Sequence, residues 1–301
     1  MAAAAASGVL LLDKPEGLSS TQAMAKAKRL LALRKAGHTG TLDPFATGLL
    51  PLVFGEATKF SRFLIDSVKS YRATLRLGVT SSTGDTEGAL SAPVPVDLSL
   101  ERITAVLEGF RGEAVQVPPM HSAVRQGGRR LYQLAREGLE VERAARRIEV
   151  TALSIDRWEG ETLVLSVTCS KGTYVRTLAA DIGAALGCGA YLTALRRTAI
   201  GPLQVGQAVT LEELASEPPE LARARLLPVD LLVAGLPRHD ASAEEARRFA
   251  QGQVIACKAA EQGSEWAIHG PGGGFVGVGL AEAAGSLAPR RLMATTGPEV
   301  A

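Results

Sequence analysis

The sequence predicts an α/β fold of the α+β type, in which a mixed sheet is flanked by helices and followed by a small strand-rich domain. Strand-like and helix-like segments alternate irregularly along the chain. The strand-like runs 148–158 and 162–169 are separated by Glu159-Gly160-Glu161, which is typical of a hairpin and hence of antiparallel pairing. A length of 301 residues exceeds one ordinary domain, so we expect a large domain and a small one.

The first elements are predicted by an apolar run and a pair of capping residues. Residues 9–12 have the pattern of a buried strand. Ser19 and Gln22 then have the spacing of a capping box, which predicts a helix reaching about Leu33. Residues 36–49 are rich in glycine and small polar side chains, and this composition favours a tight, shaped loop over a helix or a strand.

Later elements follow from periodicity. Residues 71–77 alternate between apolar and polar side chains, which predicts a half-buried strand with Tyr71 on its apolar face. Helices are predicted over residues 175–186 and 243–250. Gly235-Leu236-Pro237 interrupts the pattern, so we expect a domain boundary there.

Composition excludes several classes of protein. Cys169, Cys188 and Cys257 are far apart, which disfavours a disulfide framework and a thiolate zinc site. The four histidines lack metal-ligand spacing, so no metal is expected. The N-terminus lacks the cationic segment of a signal peptide, and no apolar run approaches a membrane span; we therefore expect a cytoplasmic protein with no membrane contact.

Charge is distributed unevenly, although the formal net charge is only +2. The segment 120–147 is basic, with Arg125, Arg129, Arg130, Arg136, Arg143, Arg146 and Arg147 against three glutamates. Such a segment could neutralise phosphates of a nucleic acid, but a run of charges is more often a solvated face. Charge alone leaves both interpretations open.

The most informative segment is the loop that contains Asp43. Pro44 biases Asp43 towards extended geometry, and the nearby glycines allow close approach of a ligand or of backbone. A carboxylate on such a loop can act as a nucleophile or a general base. The alternative is that Asp43 and Pro44 simply start a turn.

The chain resembles the bacterial tRNA pseudouridine-55 synthases at seven collinear motifs. The run Gly37-His38-Thr39-Gly40-Thr41-Leu42-Asp43-Pro44-Phe45-Ala46-Thr47-Gly48 is similar to the family's catalytic signature, with the catalytic aspartate at Asp43. The other motifs are similar at Leu11–Ser20, Lys69–Ala73, Thr83–Gly88, Val117–Ala123, Cys169–Leu178 and Ala190–Thr198. The resemblance implies the pseudouridine synthase fold, with a largely antiparallel sheet, and an enzyme that isomerises the uridine at position 55, in the T-loop of tRNA.

The resemblance also implies roles for individual residues. Asp43 is the catalytic carboxylate, Arg176 pairs with it, and Tyr71 stacks on the flipped uracil and can take part in proton transfer. Without the family, Tyr71 is better explained as a core residue and Arg176 as an ordinary arginine at a helix start. Because the target base is stacked in a folded RNA, it must be extruded into a pocket.

Further residues are implied to bind the substrate. His38 fills the RNA loop as the nucleotides swing out, and Tyr174 and Leu195 line the uracil pocket, with core packing as the alternative for both. Lys14 and Lys171 are expected to be phosphate contacts or loop supports, and Asp85 to be structural. Arg129 and Arg130 belong to an insertion at about 119–147 that clasps the T-arm.

The implied enzyme is an isomerase that needs no cofactor. We expect it to act as a monomer on tRNA, without an obligate protein partner. The predicted domains are a catalytic domain, 1–236, and a small PUA-like RNA-binding domain, 237–301. Phe45 and His121 depart from the family's pattern near the site. Two alternatives are a non-catalytic RNA-folding protein and a synthase of the eukaryotic and archaeal ribonucleoprotein type.

Overall fold

A computed structural model describes residues 6–122 and 124–294, except the side chain of Arg125. In chain order the strands are β1 (Gly8–Lys14), β2 (Ala36–His38), β3 (Thr47–Phe54), β4 (Lys69–Leu77), β5 (Gly112–Gln116), β6 (Arg125–Gln126), β7 (Arg129–Arg130), β8 (Arg146–Glu159), β9 (Thr162–Cys169), β10 (Ala190–Ile200), β11 (Leu203–Gln204), β12 (Arg238–Asp240), β13 (Ile255–Ala256), β14 (Glu265–His269), β15 (Phe275–Leu280) and β16 (Ser286–Leu292).

The α-helices are α1 (Ser20–Leu30), α2 (Ser61–Ile65), α3 (Leu100–Glu108), α4 (Leu131–Arg136), α5 (Val175–Leu186), α6 (Leu211–Ala215), α7 (Pro219–Ala224) and α8 (Ala243–Ala250). Short 3₁₀ helices cover Gly55–Phe60, Val205–Gln207, Val229–Val233 and Pro271–Gly273. In the described part of the chain, no helix is both long enough and apolar enough to cross a membrane.

The large sheet has nine strands and is mixed, as predicted. Its order is β1-β3-β10-β4-β9-β8-β5, with β2 added to β3 and β11 to β10. The β3 and β10 strands run parallel, and the other pairs are antiparallel. A second sheet of five strands, in the order β12-β14-β15-β16-β13, uses residues 238–292. The predicted α+β class with a strand-rich C-terminal part is therefore confirmed.

Local signals located most of the predicted elements correctly. Ser19 and Gln22 form the predicted capping box of α1, but the helix ends at Leu30, before the predicted Leu33, because Ala32 adopts a left-handed φ of 53°. The prediction of a loop over 36–49 was wrong at both ends. Residues 36–38 pair with β3 as β2, and β3 itself begins at Thr47, so only 39–46 lack regular structure.

Two hydrophobic clusters hold the layers together. One fills the space between the large sheet and helices α1, α3 and α5, with Ala23, Ile103, Leu165 and Ile182 among its buried members. The other joins Leu11 and Phe60 of the large-sheet region to Ala267 and Val278 of the second sheet. Because apolar side chains from both sheets share this cluster, the second sheet is docked by hydrophobic burial.

The order of the central strands positions the functional residues. In the parallel pair of β3 and β10, Gly48 lies opposite Arg197. On the other side of β10, Arg197 lies opposite Tyr71 and Leu195 opposite Ala73. The loop 39–46 leads directly into β3, so this loop and the residues of β4 and β10 meet at the middle of the sheet.

Candidate active site

The loop that carries Asp43 is anchored on both sides of this residue. The hydroxyl of Ser20 donates to the carbonyl of Leu42 (3.0 Å) and accepts from its amide (2.8 Å), and both residues are buried. The carbonyl of Pro44 accepts from the amide of Gly17 (2.9 Å). Phe45 is buried in the core and is 6% exposed. The backbone around Asp43 is therefore rigid, which a positioned carboxylate requires.

Lys14, the last residue of β1, supports this loop. Its side chain is 0% exposed, and its ammonium donates to the carbonyls of Pro15 (2.8 Å), Leu18 (2.7 Å) and Pro44 (3.3 Å). An ammonium has three donors, so all are engaged. Of the two roles expected for Lys14, these contacts fit the loop support and not the phosphate contact, since the ammonium is fully buried. Burial lowers its pKa to about 8, an effect that Asp43 partly opposes.

Arg197, on β10, also supports the loop. It is 1% exposed and donates to the carbonyl of Gly40 (3.1 Å), inside the loop, and to that of Leu49 (2.8 Å), on β3 just after the loop. Gly48 has a φ of 100°, and a Cβ there would lie 2.3 Å from the carbonyl oxygen of Arg197, so β3 approaches β10 too closely for any side chain. The sequence motif contained Arg197, but nothing local indicated its burial.

Arg176 lies between two carboxylates. Its Nε is 2.9 Å from Oδ2 of Asp43, and its Nη1 is 3.1 Å from Oδ2 of Asp85. The remaining donors reach the carbonyls of Thr83 (3.0 Å, from Nη1) and His121 (2.7 Å, from Nη2). The side chain is 4% exposed. These contacts fix the plane of the guanidinium, and with it the direction of the Asp43 carboxylate.

Burial raises the pKa of Asp43 above its ordinary value, and the neighbouring charge of Asp85 adds to the rise. The positive charge of Arg176 lowers the pKa, as expected, but this effect is smaller than that of burial. The side chain is still 35% exposed because it faces an open cleft, although protein surrounds it on its other sides. The pKa of Asp43 is therefore raised overall, although the partner of its carboxylate is an arginine.

Six of the predicted residues line one cleft, of about 370 Å³: Asp43, Tyr71, Lys171, Tyr174, Arg176 and Leu195. Lys69 and Arg197 line the same cleft. Burial raises the pKa of the Tyr71 phenol, and the adjacent guanidinium of Arg197 opposes the rise. Burial likewise lowers the pKa of Lys69 to about 8. The cleft thus combines a carboxylate, a phenol and apolar walls.

His38 and Lys171 lie at the margins. His38 is half-buried on β2, opposite Leu52. It is not among the described residues that line the cleft. Burial lowers its pKa, and the charges of Arg197 and Arg130 add to this effect. Lys171 is exposed at the rim, where its ammonium lies 2.8 Å from the carboxylate of Asp66.

The insertion leaves the sheet after Gln116 and returns at Arg146. It contains the β6–β7 hairpin and α4. Arg129 and Arg130 are both exposed; Arg129 is ion-paired with Glu137, and Arg130 lies over the ring of Tyr132, 5.9 Å from its centroid. Ala123, the last residue of the motif Val117–Ala123, and the side chain of Arg125 lie outside the described residues. The two departures from the family pattern differ: Phe45 is in the core, whereas the backbone of His121 contacts Arg176.

Gln116 was not singled out from the sequence. Its side-chain amide accepts from the amide of Tyr174 (2.7 Å) and donates to the carbonyl of the same residue (3.1 Å). A glutamine at the end of a strand carries no local signal for such a contact, since its partner lies 58 residues away. Among the described residues, no cluster of three or more histidines, cysteines or acidic residues could hold a metal ion.

Comparisons with known proteins agree along the whole chain. Residues 28–175 match the family model of the TruB family pseudouridylate synthase N-terminal domain. Residues 176–234 match that of the tRNA pseudouridylate synthase B C-terminal domain, and 237–293 that of the pseudouridine synthase II TruB C-terminal region.

Individual relatives are similar over nearly their full length. The tRNA pseudouridine synthase B of Aromatoleum aromaticum is 51% identical over 288 residues, which cover 96% of this chain and 93% of the relative. That of Thiobacillus denitrificans is 52% identical over 292 residues, 97% of each. A solved Cbf5-Nop10-Gar1 complex contains a chain that aligns with a TM-score of 0.74 at 26% identity, over 95% of this chain and 84% of the other. This chain belongs to the TruB family of pseudouridine synthases.

Proposed function

We propose that the protein isomerises the uridine at position 55, in the T-loop of tRNA, to pseudouridine, with Asp43 as the catalytic carboxylate. The observation that carries the proposal is the ion pair of Asp43 with Arg176 inside a cleft that Tyr71, Tyr174 and Leu195 also line. The relatives named tRNA pseudouridine synthase B, about half identical over nearly the whole chain, support the reaction and the substrate class.

The reaction rearranges one nucleotide without adding or removing atoms. The bond from N1 of uracil to the sugar breaks, the base turns in the pocket, and C5 bonds to the sugar carbon. The proton on C5 is then lost, and N1 gains one. A carboxylate can begin this sequence by attacking the sugar, by attacking the base, or by removing a sugar proton. All three routes require Asp43 to be ionised.

The other cleft residues have complementary roles in this proposal. The base, flipped out of the RNA stack, lies against the ring of Tyr71, where stacking contributes about 1 to 3 kcal/mol. The Tyr71 hydroxyl exchanges the C5 proton in this proposal; the charge of Arg197 beside it favours the phenolate form, although burial raises the pKa of the phenol overall. Tyr174 and Leu195 complete the pocket, and Arg176 aims the carboxylate.

The rest of the RNA, apart from the flipped base, is bound outside the cleft. The basic insertion, with Arg129 and Arg130, clasps the T-arm through its phosphates, and His38, within electrostatic reach of Arg130, occupies the space that the flipped nucleotides leave. Residues 1–236 form the catalytic domain, and the sheet built from residues 238–292 belongs to a PUA-like RNA-binding domain that begins at 237. The protein acts in the cytoplasm as a monomer.

The structural similarity to Cbf5 complexes favours one competing function, a synthase that depends on partner proteins or guide RNA. An assay of the purified chain on an unmodified tRNA transcript, without added protein, RNA, metal or cofactor, separates the two. We expect pseudouridine at position 55 from the native chain and none from Asp43→Asn, with equal tRNA binding. Activity that requires an added partner would support the competing function, and activity in Asp43→Asn would refute the assigned carboxylate.

A further inference from the structure

Gln116 connects the base of the insertion to the wall of the cleft. It is the last residue of β5, and its partner in the sheet is Arg146, at which the insertion returns. Both ends of the insertion therefore meet at this position. The side chain is 5% exposed, and its amide engages both backbone groups of Tyr174, accepting at 2.7 Å and donating at 3.1 Å.

Tyr174 depends on this contact because it lies where α5 begins. Its backbone is extended, with φ of −98° and ψ of 107°, and it caps the helix without a side-chain hydrogen bond. The amide of a residue in this place has no partner within the helix. The Tyr174 carbonyl also accepts from the amide of Leu178 (3.0 Å), but the half-buried Tyr174 amide has no helical partner, so the glutamine satisfies a need that the helix cannot meet itself.

Arg176 follows two residues later, in the first turn of α5. The same limb of the insertion contacts it as well, since Nη2 of Arg176 donates to the carbonyl of His121 at 2.7 Å. Residues 116–121 thus touch both the residue that precedes the helix and the arginine that pairs with Asp43. A shift of the start of α5 would move the guanidinium relative to the carboxylate.

We propose that Gln116 is a positioning residue for pseudouridine formation, through which the base of the insertion fixes Tyr174 and thereby the pairing of Arg176 with Asp43. The inference rests on the proposed function for its consequence in catalysis. Gln116 acts through Tyr174 and Arg176, and it is not itself among the described residues that line the cleft. In this proposal, RNA that the insertion binds is coupled through Gln116 to the geometry of the catalytic pair.

Two substitutions test the role. Gln116→Met has nearly the same shape but loses both hydrogen bonds. Gln116→Glu keeps the acceptor for the Tyr174 amide, but the ionised carboxylate faces the Tyr174 carbonyl without a proton to donate. We expect the single-turnover rate to fall by roughly ten- to a hundredfold in the Met variant, because small misplacements of reacting groups have effects of this size. The tRNA affinity should change less than about twofold, since the phosphate contacts lie elsewhere on the insertion.

The pH dependence separates positioning from a general loss of structure. On acidification, the carboxylate introduced by Gln116→Glu would gain a proton and could donate to the carbonyl of Tyr174 again. The rate of this variant, divided by that of the native chain at the same pH, should therefore rise as the pH falls. The ratio for Gln116→Met should stay constant. Gln207→Met is the matched control, because Gln207 is exposed, accepts from a backbone amide, that of Gln204 (2.9 Å), and belongs neither to the insertion nor to the cleft.

A native-like rate in Gln116→Met, a loss confined to tRNA affinity, or a flat ratio for Gln116→Glu would overturn the proposal. A crystal structure of Gln116→Met gives a readout that is independent of activity. We expect Arg176 to move away from its 2.9 Å contact with Asp43, and an unchanged contact would also contradict the role. If the native chain formed no pseudouridine while Arg176 moved in the variant, the proposed function would fail and the positioning would stand.

Discussion

The Nε of Arg176 lies 2.9 Å from Oδ2 of Asp43, and the same guanidinium also binds Asp85 at 3.1 Å. Two carboxylates thus share one cation. Asp85 is buried and accepts in addition from the amide of Glu87 (3.0 Å), whereas Asp43 faces the cleft. Asp85 therefore holds the arginine, and the arginine in turn directs the carboxylate that is free to meet a substrate.

Replacing Arg176 by lysine should abolish this division of roles. A lysine ammonium is a point charge without the planar fork, so it cannot bridge Asp43 and Asp85 in the same geometry. We expect the rate of pseudouridine formation to fall by roughly a hundredfold or more, measured in single turnover. Arg196→Lys is the control, because Arg196 also pairs with an aspartate, Asp13, at 2.6 Å. Equal losses in both variants would contradict the prediction.

Activity should decline in acid at a higher pH than an ordinary aspartate would give. Burial raises the pKa of Asp43, and the reaction requires the ionised form, so the rate falls as the pH falls through this raised value. A pH profile of the single-turnover rate measures the midpoint. A midpoint below 3.8, the ordinary value for this group, would show that Arg176 outweighs burial.

The same raised pKa predicts that Asp43→Asn stabilises the fold. The folded pKa lies above the unfolded one, so ionised Asp43 destabilises the protein at every pH above the folded value. The stabilisation in Asp43→Asn should be largest at neutral pH and disappear as the pH falls towards the unfolded value. Urea unfolding at several pH values measures it. A variant less stable than the native chain at neutral pH would contradict the prediction.

Asp85→Asn should reduce both stability and activity. Removing one member of a buried ion pair costs about 3 to 5 kcal/mol, and Asp43 still pairs with Arg176, so we expect a loss near 3 kcal/mol in the free energy of unfolding. Because the charge of Asp85 raises the pKa of Asp43, the acid midpoint of activity should move to lower pH while the plateau falls. A midpoint that moved to higher pH would argue against this arrangement.

Lys14→Met tests whether Lys14 supports the loop. Three backbone carbonyls would lose this donor, although that of Pro44 keeps the amide of Gly17, so the free energy of unfolding should fall by about 1 to 3 kcal/mol. The salt dependence of tRNA binding should not change, because the buried ammonium contacts no phosphate. Lys171→Met provides the comparison at an exposed position. A shallower salt dependence of tRNA binding in Lys14→Met would instead indicate that Lys14 contacts a phosphate.

The double substitution of Arg129 and Arg130 by alanine tests the clasp. Each phosphate contact contributes roughly 0.7 to 0.9 to the slope of log affinity against log salt concentration, so binding should weaken and the slope should decrease by about one or more. Arg157→Ala is the control, since Arg157 is an exposed arginine paired with Glu159 on the β8–β9 hairpin. An unchanged slope in the double variant would remove these arginines from the RNA interface.

Local patterns in the sequence determined several of the strands and helices around the site. The capping box of Ser19 and Gln22, the alternation over 71–77 and the helices at 175–186 and 243–250 were predicted and are present. The motif around Asp43 also identified the loop that enters the cleft. Such features rest on neighbours a few residues apart, and hydrophobic period and capping chemistry can be read from a single sequence.

Only the tertiary structure decided how the charged and polar groups are used. Lys14 is buried under the loop, Arg197 lies opposite Tyr71, and Gln116 holds Tyr174 across 58 residues of chain. The pKa of Asp43 rises although an arginine is its partner. Burial and hydrogen bonding depend on groups that folding brings from distant parts of the chain, and the balance of desolvation against charge is set by that packing, which local sequence does not encode.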